Sequence, residues 1–292
     1  MMSLSAQTER TRVAILGASG FTGAELLRLS AQHPTFDVVA ATGDTQVGTR
    51  AASLYPSLAA RYPDLTFSAF DEAAVDGVDV VFLCLPHDAS LALVPQLVGR
   101  VGCVVDLSAA YRLKDASQYP TWYGFQHDQP ALLADAVYGL PERHRAHLAG
   151  ARLVATPGCH VTAATLALAP LVDAGLIERS GVIVDSITGV SGAGRGLTHS
   201  SQFCTVDEDV QAYGLLDHRH TPEIEQEVGA QVLFTPHLAP MNRGILATCY
   251  ARPADDAVST STLLDALRDA YAREPFVVVT DGSPSTKATL GS

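Results

Sequence analysis

Thr11-Arg12-Val13-Ala14-Ile15-Leu16-Gly17-Ala18-Ser19-Gly20-Phe21-Thr22-Gly23 is the stretch that decides the fold. Residues 11–16 form a short apolar, β-branched run, residues 17–23 a glycine turn, and residues 24–32 a helical stretch, so the order reads strand, turn, helix. A second apolar run follows at 36–41. A third, at 78–85, is so continuously apolar that burial of both faces is expected, as in parallel sheets. Residues 89–98 supply the next crossover helix and 102–107 the next strand. Repeated β-α-β at this spacing predicts an α/β fold built on a Rossmann-like doubly wound parallel sheet.

Past residue 107 the pattern changes. Residues 108–150 carry turns rich in aromatics and proline, such as Tyr119-Pro120-Thr121-Trp122-Tyr123-Gly124, and read as functional loop rather than core. A strand resumes at 152–155, and Thr156-Pro157-Gly158-Cys159 then leads into a helix reaching about residue 174 and closed by Gly175. Runs at 181–189, 231–234, 244–252 and 276–280 read as strands, with a helix at 261–273. Too few crossover helices separate them for more βαβ units. Two domains are therefore expected: residues 1–158, dinucleotide-binding and Rossmann-like, and residues 159–292, an α+β domain with a mixed or antiparallel sheet.

Composition narrows the function. With 292 residues, 47% of them hydrophobic and 17% charged, the chain is globular, and neither disorder nor fibre fits. Lys plus Arg is 19 against 31 for Asp plus Glu, giving a net charge of −12 that repels phosphate backbones, so no nucleic-acid partner is expected. Lys114 and Lys287 are the only lysines, which leaves anion recognition to arginine. Five scattered cysteines without a CxxC pair suit a reducing compartment. Residues 1–10 contain no apolar core, and the longest uncharged apolar stretch, 161–172, is too short to span a bilayer. A cytoplasmic protein without a membrane partner is the expectation.

Four segments carry candidate chemistry. In the glycine turn, Gly17 permits the tight bend and Gly20 lets backbone approach a pyrophosphate. Ser19 and Thr22 add hydroxyl donors, and the helix start offers free N–H groups; the bland alternative is a βα turn without a ligand. Asp44, after the second strand, argues mildly for NAD, and nothing basic lies nearer than Arg50. Cys159 opens a helix, where the dipole and unpaired N–H groups favour a thiolate and hence a nucleophile; otherwise it is a small buried residue at a turn. Asp217-His218-Arg219-His220-Thr221-Pro222-Glu223 is the densest supply of imidazole for acid/base work. No further cluster with ligand spacing accompanies those histidines, so no metal is expected. Arg112 follows the carboxyl end of a strand and is a candidate fork for phosphate or carboxylate, or else half of a surface ion pair. Val190-Ser191-Gly192-Ala193-Gly194-Arg195-Gly196 reads as a tightly turned or flexible substrate wall.

Taken together, these motifs resemble the N-acetyl-gamma-glutamyl-phosphate reductases of arginine biosynthesis, enzymes akin to aspartate-semialdehyde dehydrogenases. The resemblance rests on residues 17–23, Leu85-Pro86-His87, Asp106-Leu107-Ser108-Ala109 with Tyr111-Arg112-Leu113, and Tyr138-Gly139-Leu140-Pro141-Glu142. It continues through Pro157-Gly158-Cys159, Ser191-Gly192-Ala193-Gly194-Arg195 and His218-Arg219-His220-Thr221-Pro222-Glu223-Ile224, in the family's order. It implies NADP(H)-dependent reduction of an acyl phosphate to an aldehyde, with Cys159 forming a thioester and His218 as acid/base. Substrate contacts are implied for Arg112, Ser191, Arg195, His220 and Glu223, and cofactor contacts for Gly17, Ser19, Gly20, Phe21, Thr22 and Gly23. It also implies that the first domain binds NADP, that the second carries catalysis and dimerisation, and that the chain forms a homo-oligomer, a dimer or tetramer.

Three departures stand out. His160 occupies a position where the family usually has an aromatic such as tyrosine. Residues 42–46 lack a serine-arginine pair seen in some members. Members continue past the position of Ser292 through a segment that returns to the dinucleotide domain, so a truncated chain is expected. The rival readings are reduction of a carrier-bound aminoadipyl phosphate in lysine biosynthesis and a catalytically silent NADP-binding protein.

Overall fold

The structure is a computed structural model and describes residues 10–291. The chain divides into two compact units. One comprises the chain up to Arg112 together with Asp128–Gly139 and Ala146–Thr156; the other comprises Leu113–His127, Leu140–Arg145 and everything from Pro157 onward.

The first unit is built on a six-stranded sheet. Its strands are β1 (Thr11–Leu16), β2 (Phe36–Ala41), β3 (Val80–Leu83), β4 (Cys103–Asp106), β5 (Val137–Tyr138) and β6 (Leu153–Ala155), in the order β2-β1-β3-β4-β6-β5. Every pairing is parallel. The chain leaves β1 for β2 on one side and returns to β3 on the other, so β1 and β3 flank the switch point where open α/β sheets bind ligands. Val13, Ile15, Leu27, Ala41 and Phe67 fill the core there. The first helix starts at Phe21 and not at residue 24, because Gly20 already serves as its N-cap.

Residues 108–150 are more ordered than their aromatic turns suggest. Helices Tyr119–Tyr123, Pro130–Asp135 and Pro141–Leu148 form there, and β5 adds an edge strand. Tyr111 and Tyr119 are fully buried, so these aromatics are core.

The second unit holds a mixed four-stranded sheet of β7 (Val182–Gly189), β8 (Gln211–Ala212), β9 (Val232–Ala239) and β10 (Ile245–Tyr250), in the order β10-β7-β9-β8. β7 and β9 are parallel, while β10 and β8 pair antiparallel. One face packs Val182, Val184, Val232 and Phe234 against Val161, Ala164, Leu168 and Ile224 of two helices. Each fully buried aliphatic or aromatic side chain there contributes about 1.5–3 kcal/mol.

β9 runs five residues beyond the sequence expectation, straight through Pro236. The Pro236 carbonyl accepts the Tyr213 N–H at 3.0 Å, and β8 has ended one residue earlier. The missing N–H points to the same side, past the end of β8 and away from β7, so the ladder between β9 and β7 loses no bond. The expected strand at 276–280 does not form: Phe276 and Val278 are 91% and 81% exposed, and no strand is assigned there. Among the described residues, no helix is long and apolar enough to cross a membrane.

Candidate active site

Gly158 caps the helix Cys159–Asp173, and Cys159 is its first residue. The helix forms because Val161, Ala164, Thr165, Leu168, Ala169 and Val172 recur on one buried face, and Gly175, at φ +67°, ends it. Pro170 deprives the Leu166 carbonyl of its helical partner, and the Tyr271 hydroxyl donates to that carbonyl at 2.7 Å instead. Cys159 thus sits at the positive end of a fifteen-residue helix, with its side chain exposed. The remaining thiols differ. Burial pushes Cys84 up to about 12 and Cys249 to about 11 and also raises Cys103, while Cys204 is exposed.

The histidine segment converges on the same turn. Helix Thr221–Val228 begins with Pro222 in its first turn and ends at Gly229, φ +70°. Its first turn carries Glu223, which is wholly buried and whose Oε1 accepts the Gly158 N–H at 2.9 Å. His220 is 8% exposed, and its Nε2 lies 2.6 Å from where a Cβ on Gly158 would stand. Only a glycine leaves room for that ring beside the cysteine. His218 Nδ1 accepts the His220 N–H at 3.1 Å. Burial, and after it Arg219, lowers the His218 pKa to about 4, so its ring is neutral and carries its proton at Nε2.

Three residues that sequence reasoning did not place in the site join it. His160 is buried between Ser186 Oγ at 2.7 Å and Tyr213 Oη at 3.2 Å. Its ring lies within 5.8 Å of those of His218 and His220, and Phe234 closes the far side. Burial first, and then the charge of Cys159, pushes the Tyr213 phenol up to about 12. His160 had one signal, its place next to Cys159. Ser186 and Tyr213 had none, since one comes from β7 and the other from just past β8, both far along the chain.

Of the remaining candidates, Ser191 and Arg195 lie on the loop after β7, half-buried and exposed respectively, where Ser191 N donates to Asn242 O. Arg112 is in the first unit and is 7% exposed, with Nη2 donating to Leu107 O at 2.9 Å, so it is not a surface ion pair. Beside it Asp106 is fully buried and accepts from Ser108 N and Oγ.

The glycine turn fits a dinucleotide. Gly17 has φ +83°, and a Cβ there would stand 2.4 Å from Cys84 O; at Gly23 one would stand 2.4 Å from Ala18 Cα. Both are needed by the fold. A Cβ on Gly20, by contrast, would meet nothing nearer than Gly17 O at 3.6 Å, leaving an open cradle at a helix start that has no side-chain cap. Phe21 and Thr22 are exposed beside it, and Ser19 is half-buried. Among the described residues no group of three or more His, Cys, Asp or Glu side chains is placed to hold a metal ion.

Two family models match the chain. Residues 12–151 match the family described as semialdehyde dehydrogenase, NAD binding domain, and residues 159–292 match semialdehyde dehydrogenase, dimerisation domain. N-acetyl-gamma-glutamyl-phosphate reductase from Ectopseudomonas mendocina is 46% identical over 288 residues, covering 96% of this chain and 83% of the relative. The Symbiobacterium thermophilum enzyme of the same name is 46% identical over 290 residues, with the same coverage. Among solved structures, aspartate semialdehyde dehydrogenase with NADP from Candida albicans has a TM-score of 0.68 at 16% identity, over 89% of this chain and 76% of that one, a likeness of fold. At 46% identity over nearly its whole length, the chain belongs to the N-acetyl-gamma-glutamyl-phosphate reductase family.

Proposed function

We propose that this protein reduces N-acetyl-gamma-glutamyl phosphate to N-acetylglutamate semialdehyde and phosphate at the expense of NADPH. The observation that carries the reading is an exposed Cys159 at a helix N-terminus, with two imidazoles gathered at the glycine before it.

The Cys159 thiolate attacks the acyl carbon, the bond to the phosphate oxygen breaks, and a thioester forms on Sγ. Residues 17–23 would hold NADPH, which would supply the hydride that the reduction needs. His218 is the acid/base group: its Nε2–H donates to the acyl oxygen as negative charge collects there. When the thiohemiacetal collapses, His218 Nε2 takes the hydroxyl proton back, that oxygen becomes the aldehyde carbonyl and sulfur departs as a thiolate, which the helix end favours. Glu223 and His220 keep the turn and the neighbouring ring in place for substrate. Arg112, Ser191 and Arg195 meet phosphate or carboxylate oxygens.

The protein works in the cytoplasm as a homo-oligomer. Tyr250, Ile183 and Leu233 pair across β10, β7 and β9 and are 54%, 36% and 47% exposed, an apolar row on the sheet face away from the helices. A second copy covers that row.

Cys159→Ser tests the reaction. In the phosphate-dependent reduction of NADP+ by N-acetylglutamate semialdehyde, the variant should be inactive with an unchanged circular dichroism spectrum. Turnover retained by the variant would overturn the thioester route.

A further inference from the structure

Ser186, His160 and Tyr213 form a chain of hydrogen bonds behind the nucleophile, at 2.7 Å and 3.2 Å. Ser186 is fully buried on β7 and His160 is 2% exposed, so bulk solvent reaches neither of them. Among the described residues Ser186 Oγ has His160 Nδ1 as its one partner. A buried hydroxyl proton needs an acceptor, and the only one at hand is Nδ1. The imidazole is neutral, because burial and then His218 lower its pKa to about 4. A neutral ring that accepts at Nδ1 carries its proton at Nε2 and donates it to Tyr213 Oη. The phenol proton is then free of His160.

Tyr213 is held in place from other directions. Its N–H donates to Pro236 O at 3.0 Å, and its ring meets the His218 ring edge-on with centroids 5.6 Å apart. Burial, and after it the charge of Cys159, pushes the phenol up to about 12, so it keeps its O–H to donate.

We propose that His160 is a positioning residue for the reduction: backed by Ser186, it holds the Tyr213 phenol with its O–H turned toward the acyl group on Cys159. The inference rests on the reaction proposed above and adds to it an orienting relay that the residue after the nucleophile supplies. A tyrosine in place of His160 offers one hydroxyl and no pair of ring nitrogens, so it cannot link Ser186 to Tyr213 in this way.

Two measurements on the full chain test it. Imidazole nitrogen shifts by NMR should show His160 protonated at Nε2 and bare at Nδ1, with that preference lost in Ser186→Ala. A proton on Nδ1 in the unmodified protein overturns the proposal. In the semialdehyde assay, His160→Phe and Tyr213→Phe should each lower kcat about tenfold to a hundredfold with KM within about threefold. The double variant should be no worse than the poorer single, and His160→Gln, which keeps an N–H donor, should recover part of the loss. Additive losses, or no rescue by glutamine, overturn it. If the unmodified protein turns nothing over, the proposed reaction fails, and the NMR result still decides the orientation of His160.

Discussion

Gly158 and His220 compete for one volume: a Cβ on the glycine would stand 2.6 Å, 2.8 Å and 2.9 Å from three atoms of the imidazole. The backbone of Gly158, at φ −64° and ψ 149°, is one that alanine adopts freely, so the whole cost of Gly158→Ala falls on the ring. The variant should fold with a melting temperature within a few degrees of the parent and lose about a hundredfold in kcat, since a displacement near 1 Å at a reacting centre has effects of that size. Thermal denaturation alongside the semialdehyde assay checks it; equal loss of stability and activity would count against His220 as a site residue.

The two glycines of the first turn should separate fold from cofactor. Gly17→Ala forces a side chain at φ +83° into Cys84 O, a backbone atom, and is expected to cost more than about 2 kcal/mol. Gly20→Ala meets no such wall. It should keep the parental stability yet weaken NADPH binding about tenfold or more, because the added methyl fills the cradle where a pyrophosphate approaches. Fluorescence titration with NADPH reads this without any turnover.

Stability should fall on mild acidification. His160 and His218 have pKa values lowered by burial from 6.5 to about 4. Between those values the unfolded chain binds protons that the folded chain refuses, so the folded state is at its full strength above about pH 6.5 and loses ground as pH drops toward 4. His160 alone accounts for up to about 3 kcal/mol of that loss. Urea midpoints measured at pH 7, 5.5 and 4.5 should decline, and the decline should be shallower in His160→Phe.

Leu233→Asp places a charge in the middle of the exposed row formed with Ile183 and Tyr250. If that row is where two copies meet, the variant should sediment as a single chain while the parent does not. An unchanged sedimentation coefficient would move the interface elsewhere.

How far the sequence foretells this arrangement depends on how local each feature is. β1 and the turn after it are legible because apolar run, glycine and helix succeed one another within twenty-odd residues and each is explained by its own backbone. Cys159 and the His218–Glu223 segment are legible for the same reason, one as a helix start and the other as a local crowd of imidazoles. Residues 276–280 mislead because aromatic and β-branched side chains report an intrinsic preference, whereas a strand also needs a neighbour, and Phe276 and Val278 stand in solvent. Pro236 misleads in the opposite direction: proline argues against a central strand until one knows that β8 stops short of it. Ser186 and Tyr213 stay hidden because their meeting with His160 spans 26 and 53 residues of chain and is made only when the second sheet closes.

The contrast among the five thiols has a practical side. Three of them are shielded and held protonated well above neutral pH, which leaves Cys159 and Cys204 open to a soluble alkylating reagent. Replacing Cys204 by serine would turn the protein into a substrate for one-site labelling. A fluorophore or spin probe attached in that background reports from the position of the proposed nucleophile, so the molecule comes already equipped for spectroscopy of the candidate site.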